Sequence, residues 1–166
     1  MNLLEKCFEG TKETPPRLRR VKPLAEKADA HMEKAITNLL AMDLMEKNKF
    51  FDWAITCGYY AMYHATMAAL WLLGLEARSH ECVIAAFEAF YVKKGKVDER
   101  YLQYVKRAKT LSGRYSDALE NAKAERIIAS YGLGEIRSQE AAKVTSDARE
   151  FVNGIRGLVF EAKGEL

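Results

Sequence analysis

Between Trp53 and Leu75 the chain contains no Asp, Glu, Lys or Arg, and inside that run lies a single imidazole, His64. An ionisable group on an apolar helix must be hydrogen-bonded or used, because burying it unpaired costs roughly 1–3 kcal/mol. With an unperturbed pKa of about 6.5, His64 can give or take a proton near neutrality. Cys57 lies seven residues earlier and could be the nucleophile of a Cys–His pair. However, seven residues span about 10.5 Å of helix, too far for a direct hydrogen bond within one chain, so acid–base work by His64 is the stronger reading. Tyr59, Tyr60 and Tyr63 beside it are packing residues first; an exposed one could stack on a base or accept a nucleotidyl group. His80 reads as a surface or capping residue and His31, on a solvent-rich helix, as uninvolved. No Gly-rich phosphate loop, Ser-His-Asp order or metal-ligand cluster is present, so no cofactor and no metal are expected.

The elements that position these groups are helical. Apolar residues recur at Ala28, Met32, Ala35/Ile36 and Leu39/Leu40, the period of one helical face over about Leu24–Lys47, before a break at Asn48-Lys49. The next helix, about Phe50–Leu73, carries Phe50, Ala54, Cys57, Ala61, His64, Ala68 and Trp71 on one seam of mostly small residues. That seam is expected to face a packed neighbour or a second copy of the chain, and Gly74 to terminate the helix. Ser79 predicts the N-cap of a helix closed by Lys93-Lys94-Gly95. Asp98 opens a further helix, with an interruption expected at Ser112-Gly113 and an end at Tyr131-Gly132; Ser138 is expected to cap the last one. No segment alternates with period two. The fold class is all-α, an antiparallel up-and-down bundle of four to five helices over residues 23–166, preceded by a basic arm over residues 1–22.

At 49% hydrophobic and 30% charged residues, the 166-residue chain reads as one ordinary globular domain. Its net charge of +3 is uneven: Lys93–Arg126 carries ten basic against five acidic residues. Lys106, Arg107, Lys109 and Arg114 in that stretch are candidates to meet a phosphate backbone. Cys7, Cys57 and Cys82 are odd in number and widely spaced, which argues against a disulfide framework and for a reducing cytosol. The first thirteen residues lack the apolar core of a signal peptide. The uncharged run is long enough to span a bilayer, but it holds polar residues and lacks charged flanks, so a buried central helix and no membrane partner are expected.

The string Tyr59-Tyr60-Ala61-Met62-Tyr63-His64-Ala65, followed by Gly74, Ser79-His80, Val83-Ile84 and Phe87, resembles the HEPN domain family, in particular its small stand-alone prokaryotic branch often encoded beside a minimal nucleotidyltransferase. Arg126-Ile127-Ile128-Ala129-Ser130-Tyr131 resembles the family's Arg-x-x-Ala-Asp-Tyr element, with Ser130 at the Asp position, and Ala148-Arg149-Glu150-Phe151 its closing helix. The likeness covers about residues 30–160. It implies a helical bundle that commonly homodimerises around the His-bearing helix, and metal-independent ribonuclease activity in toxin–antitoxin or defence settings. The family motif is an Arg followed four to six residues later by His; here Cys57 stands at the Arg position. His64 is then the catalytic candidate, two copies sharing acid and base roles across a dimer. Tyr60, Tyr63, Arg78, His80 and Arg126 are supporting candidates, with Arg78, Arg114 or Arg126 able to replace the motif Arg only if they reach. Two readings stay open: a ribonuclease weakened by Cys57, or a non-catalytic dimeric module that binds a nucleotide or a minimal nucleotidyltransferase.

Overall fold

The computed structural model describes residues 2–125 and 134–164, and the side chains of 2–113 and 138–164. It is an all-α bundle. Helix α1 (Leu3–Phe8) and strand β1 (Leu18–Arg20) lead into α2 (Ala25–Lys47), α3 (Phe51–Leu72), strand β2 (Leu75–Ala77) and α4 (His80–Phe87). A wide π turn (Glu88–Val92) then precedes α5 (Glu99–Glu125) and α6 (Gly134–Lys163). Among the described residues no helix is long and apolar enough to cross a membrane.

Helix α3 is the axis of the molecule, with α2, α5 and α6 packed around it. Ala54, Ala61 and Ala68 are fully buried within this one chain. The small-residue seam is therefore occupied by a neighbouring helix of the same chain, and a second copy cannot dock on those alanines. Gly58 sits where α3 comes closest to two helices at once: a Cβ there would lie 3.1 Å from both the Met42 sulfur on α2 and the Val144 Cγ1 on α6. The stripe Ala141, Val144, Ala148, Phe151, Val152, Ile155 and Val159 of α6 is buried, as its periodicity predicts. On α2, Ala28, Met32, Ala35 and Met42 are buried, whereas Leu40 is 66% exposed.

The ends of α3 follow from local chemistry. Lys49, at φ 62°, reverses the chain after α2, and the Phe50 N–H donates to the Met45 carbonyl at 2.8 Å, so α2 and α3 form a tight antiparallel hairpin. Gly74 stops α3 at φ +65° and could not carry a side chain, since a Cβ would lie 2.3 Å from the Val21 carbonyl oxygen. Ser79 caps α4 by accepting from the Cys82 N–H, as its type predicts. The π turn has i→i+5 bonds from Lys93 N–H to Glu88 and from Lys96 N–H to Tyr91, and the Tyr91 hydroxyl donates to the Ala69 carbonyl at 2.7 Å.

Several expectations are corrected. Helix α5 runs unbroken through Ser112-Gly113: Leu102, Val105, Ala108 and Leu111 hold one buried stripe, and a side chain at Gly113 would meet nothing within 4 Å, so the glycine is tolerated on an open face. Helix α6 begins at Gly134 rather than at Ser138. The end expected at Tyr131-Gly132 lies outside the described residues. Cys7 and Cys82 form a disulfide with Cα atoms 5.7 Å apart. Sequence separation carried no information about that contact; the packing of α1 against α4 creates it, and the inference from cysteine count to a reducing compartment falls with it. The N-terminal segment packs on the bundle: Cys7 and Leu18 are fully buried, and β1 pairs antiparallel with β2, Leu18 opposite Ala77 and Arg20 opposite Leu75.

Candidate functional site

The hairpin geometry decides what His64 meets. With the reversal at Asn48-Lys49, position 31 on α2 lies level with position 64 on α3. His31 Nδ1 and His64 Nδ1 stand 3.0 Å apart, with ring centroids at 5.3 Å and an interplanar angle of 28°. His31, expected to be uninvolved, is thus the immediate partner of His64. The signal was available in the sequence as hairpin symmetry about the Asn48 break, but only once the two helices are known to be neighbours in register.

The opposite flank of α3 meets α4. Tyr63 stacks on His80 with centroids 4.4 Å apart, and the Tyr59 hydroxyl lies 2.5 Å from His80 Nδ1. Tyr63 also sets its edge toward His64 at 5.3 Å, and the 38%-exposed Tyr60 ring lies 6.5 Å from His64. The result is a continuous half-buried row of rings, His31, His64, Tyr63 and His80, with Tyr60 at its open edge. His80 is therefore part of the cluster through its ring as well as being the first residue of α4.

Electrostatics keeps this row uncharged. Burial, then the charge of His64, then Lys34 and Lys27 hold His31 down at about 4 from the usual 6.5. Burial first, with Lys34 and His80 adding to it, also lowers His64. His80 is lowered by burial and by Lys109. Tyr59 and Tyr63 are pushed up chiefly by burial, so both remain phenols. The Tyr59 phenol holds its proton, and its hydroxyl donates to His80 Nδ1 in the tautomer of that ring that carries its hydrogen on Nε2.

Cys57 is half-buried, and burial raises its thiol pKa, which opposes nucleophilic use. The candidate basic residues are disposed differently. Lys106 reaches Glu88 at 3.5 Å, and Arg107 is bound at 2.5 Å to the 5%-exposed carboxylate of Asp147. Lys109 lines a cavity of about 600 Å³ with Lys93, Lys106, Glu81 and Glu88. Arg78 is exposed beside His80, its backbone N–H donating to the Arg17 carbonyl. Arg126 and the side chain of Arg114 lie outside the described residues. Among the described residues, the cations whose fields reach the ring row are Lys27, Lys34 and Lys109. Lys34 was missed in the sequence because its relevance depends on His31.

A model of the HEPN domain matches residues 28–158. The chain is 26% identical over 140 residues to a putative toxin of Methanocaldococcus jannaschii, covering 84% of this chain and 94% of that protein. It is 37% identical over 62 residues to a UPF0332 protein of Pyrococcus horikoshii, covering 37% of this chain and 43% of that protein. A second putative toxin of M. jannaschii is 26% identical over 77 residues, covering 46% of this chain and 52% of that one. With a matching family model over most of its length and the His-bearing helix at its centre, this chain belongs to the HEPN domain family.

Proposed function

We propose that the protein is a toxin-type HEPN ribonuclease that cleaves RNA without metal, and that Cys57 has weakened it. The observation that carries the reading is the His64 ring: half-buried, held by a second imidazole, and flanked by the exposed Tyr60, on a framework shared with proteins named as putative toxins. Attack of a ribose 2′-OH on its own phosphate needs a base, an acid and a cation for charge developing on phosphorus. The imidazoles supply the first two, and Tyr60 offers a face on which an unpaired base can stack. For the third, Cys57 supplies nothing, and Lys34 is a cation whose field reaches both rings. An absent preorganised donor corresponds to about 10²–10³ in rate. Because its substrate would be RNA, this reading has the protein act in the cytoplasm, and a homodimer would use the exposed Leu40, Leu44, Phe50 and Trp53 at the turn end of the α2–α3 hairpin.

The test is cleavage of a single-stranded RNA by the purified chain in EDTA. Slow cleavage, faster in Cys57→Arg and abolished by His64→Ala, is the expected result; rapid cleavage that survives His64→Ala overturns the assignment.

A second reading is favoured by the ion pairs of Lys106 and Arg107, which leave less free positive charge for an RNA backbone. In it the chain is a non-catalytic, nucleotide-binding or nucleotidyltransferase-binding module. Unchanged RNA affinity after charge reversal of Lys106, Arg107, Lys109 and Arg114, with no cleavage by Cys57→Arg, would favour it.

A further inference from the structure

We propose that His31 and His64 form an acid–base pair within one chain, sharing a single proton between their Nδ1 atoms so that one ring presents a basic Nε2 and the other a proton-bearing Nε2. This rests on the ribonuclease reading above for its substrate, an RNA strand, but not for the proton arrangement itself.

The geometry requires opposite tautomers. A neutral imidazole has one N–H donor and one lone-pair acceptor. Two Nδ1 atoms 3.0 Å apart can bond only if one carries the hydrogen and the other does not. Two hydrogens there would clash, and two lone pairs would repel. The ring with Nδ1–H therefore has a bare Nε2, and the ring accepting at Nδ1 has Nε2–H. A further proton, which would turn one ring into an imidazolium, is opposed by burial and by Lys34 and Lys27 on α2, and by His80 from α4. Among the described residues the phenols of Tyr60 and Tyr63 on α3 also face it.

Such a pair can catalyse the cleavage without either ring becoming an isolated cation. The bare Nε2 takes the 2′-OH proton as the 2′ oxygen bonds to phosphorus. The other Nε2–H gives its proton to the departing 5′ oxygen as the P–O5′ bond breaks. The proton between the Nδ1 atoms crosses from the first ring to the second. The products are a 2′,3′-cyclic phosphate and a 5′-hydroxyl, and the pair is left neutral with its tautomers exchanged. Site burial, which penalises an imidazolium, favours this route over one histidine held charged and another neutral. Both functions then reside on residues 33 positions apart in one chain, rather than on two copies of His64 across a dimer.

The experiment follows release of cyclic phosphate from a fluorescent RNA in EDTA, using the wild type, Cys57→Arg, and His31→Asn in each background, across about pH 5–8. Asn keeps a hydrogen-bonding partner for His64 Nδ1 but carries no exchangeable Nε2 proton. The expected result is a fall of about 10²–10⁴ in His31→Asn, with a parent rate flat between about pH 6 and pH 8 because the neutral pair performs both roles. A bell-shaped profile, a His31→Asn rate within about threefold of the parent, or cleavage lost in EDTA overturns the proposal and leaves a histidine- or metal-dependent ribonuclease. If neither parent releases product, the ribonuclease reading falls. Imidazole ¹⁵N shifts, with His80→Gln assigning the third ring, then judge the pair alone. One Nδ1–H and one Nε2–H ring support it, and two rings of the same tautomer overturn it.

Discussion

On the side of α3 facing α2, His64 meets another imidazole; on the side facing α4, Tyr59 and Tyr63 meet His80. Both contacts engage a histidine Nδ1, both are half-buried, and both rings have lowered pKa values. They differ in the partner's own proton affinity. His31 and His64 have the same chemistry, so the proton between them can cross in step with proton transfers at the two outer Nε2 atoms and leave both rings neutral. The Tyr59 phenol is pushed further from ionisation by burial, so its proton stays on oxygen and none passes to His80. A fold can thus use one residue type as a mobile proton carrier and as a fixed acceptor a few ångströms apart, by choice of neighbour alone.

The sharpest way to break this contrast is to remove each imidazole in turn. His64→Ala should lower RNA cleavage by about 10²–10⁴, whereas His80→Gln, which deletes a stacking partner of Tyr63, should lower it less than about tenfold. Equal losses measured on the same RNA would show that the two sides are not distinct in function.

The disulfide sharpens the comparison structurally. Cys82 lies in the first turn of α4, two residues after His80, and is tied to α1 through Cys7. No such link touches α2. Reduction, or Cys7→Ala, should lower unfolding free energy by about 2–4 kcal/mol. It should also perturb the His80 ring resonance while leaving those of His31 and His64 in place. Chemical denaturation and imidazole NMR with and without reductant check both; perturbation of all three rings would show that α4 and the hairpin move as one.

The side facing α2 was the more legible in the sequence. The uncharged run, the seam stepping from Ala54 to Trp71 and the stop at Gly74 fix α3 as a central helix from residue types alone, because burial of apolar side chains imposes that periodicity. The string around Tyr63 and His64 pointed to the family and to a candidate site. What stayed hidden depended on which helices touch. His31 is an ordinary polar-helix residue until the turn at Lys49 sets it level with His64. Cys7 and Cys82 are 75 residues apart and pair only because α1 packs on α4. The expected break at Ser112-Gly113 failed for the converse reason: local helix-breaking signals yielded to the stripe from Leu102 to Leu111 that α5 buries. Lys106 and Arg107 were read as free charge, and their neutralisation by Glu88 and Asp147 is a tertiary fact.

Acid should test all three histidines at once. In the unfolded chain each would bind a proton near its ordinary pKa of about 6.5, while in the folded chain each resists it. Below that value the unfolded state holds more protons, so stability falls as the pH drops, until the folded groups protonate, at about 4 for His31. The expected loss between about pH 7 and pH 4.5 is on the order of 1–3 kcal/mol, above the range in which the depressed carboxylate of Glu88 begins to contribute. His31→Asn should flatten the dependence more than His80→Gln. Urea midpoints as a function of pH measure it, and a stability that rises on acidification would contradict the neutral assignment of the row.

The smallest effect probes the fixed bond by itself. Tyr59→Phe keeps the ring that lies 5.6 Å from His80 at 29° but removes the hydroxyl that lies 2.5 Å from Nδ1. A lost hydrogen bond of this kind costs about 1 kcal/mol. The second consequence is directional: a donor aimed at Nδ1 opposes protonation there, so without it His80 should take up a proton at higher pH, and its preference for the Nε2–H tautomer should relax. While His80 is neutral the His31–His64 resonances should not respond, because their shared proton does not pass through Tyr59; only a charged His80 reaches His64 by its field. Imidazole NMR on the variant separates the outcomes: an unchanged His80 titration would mean that the phenol does not hold that nitrogen, and a shift at His64 at a pH where His80 is still neutral would mean that the proton states on the two sides of α3 are coupled through Tyr63.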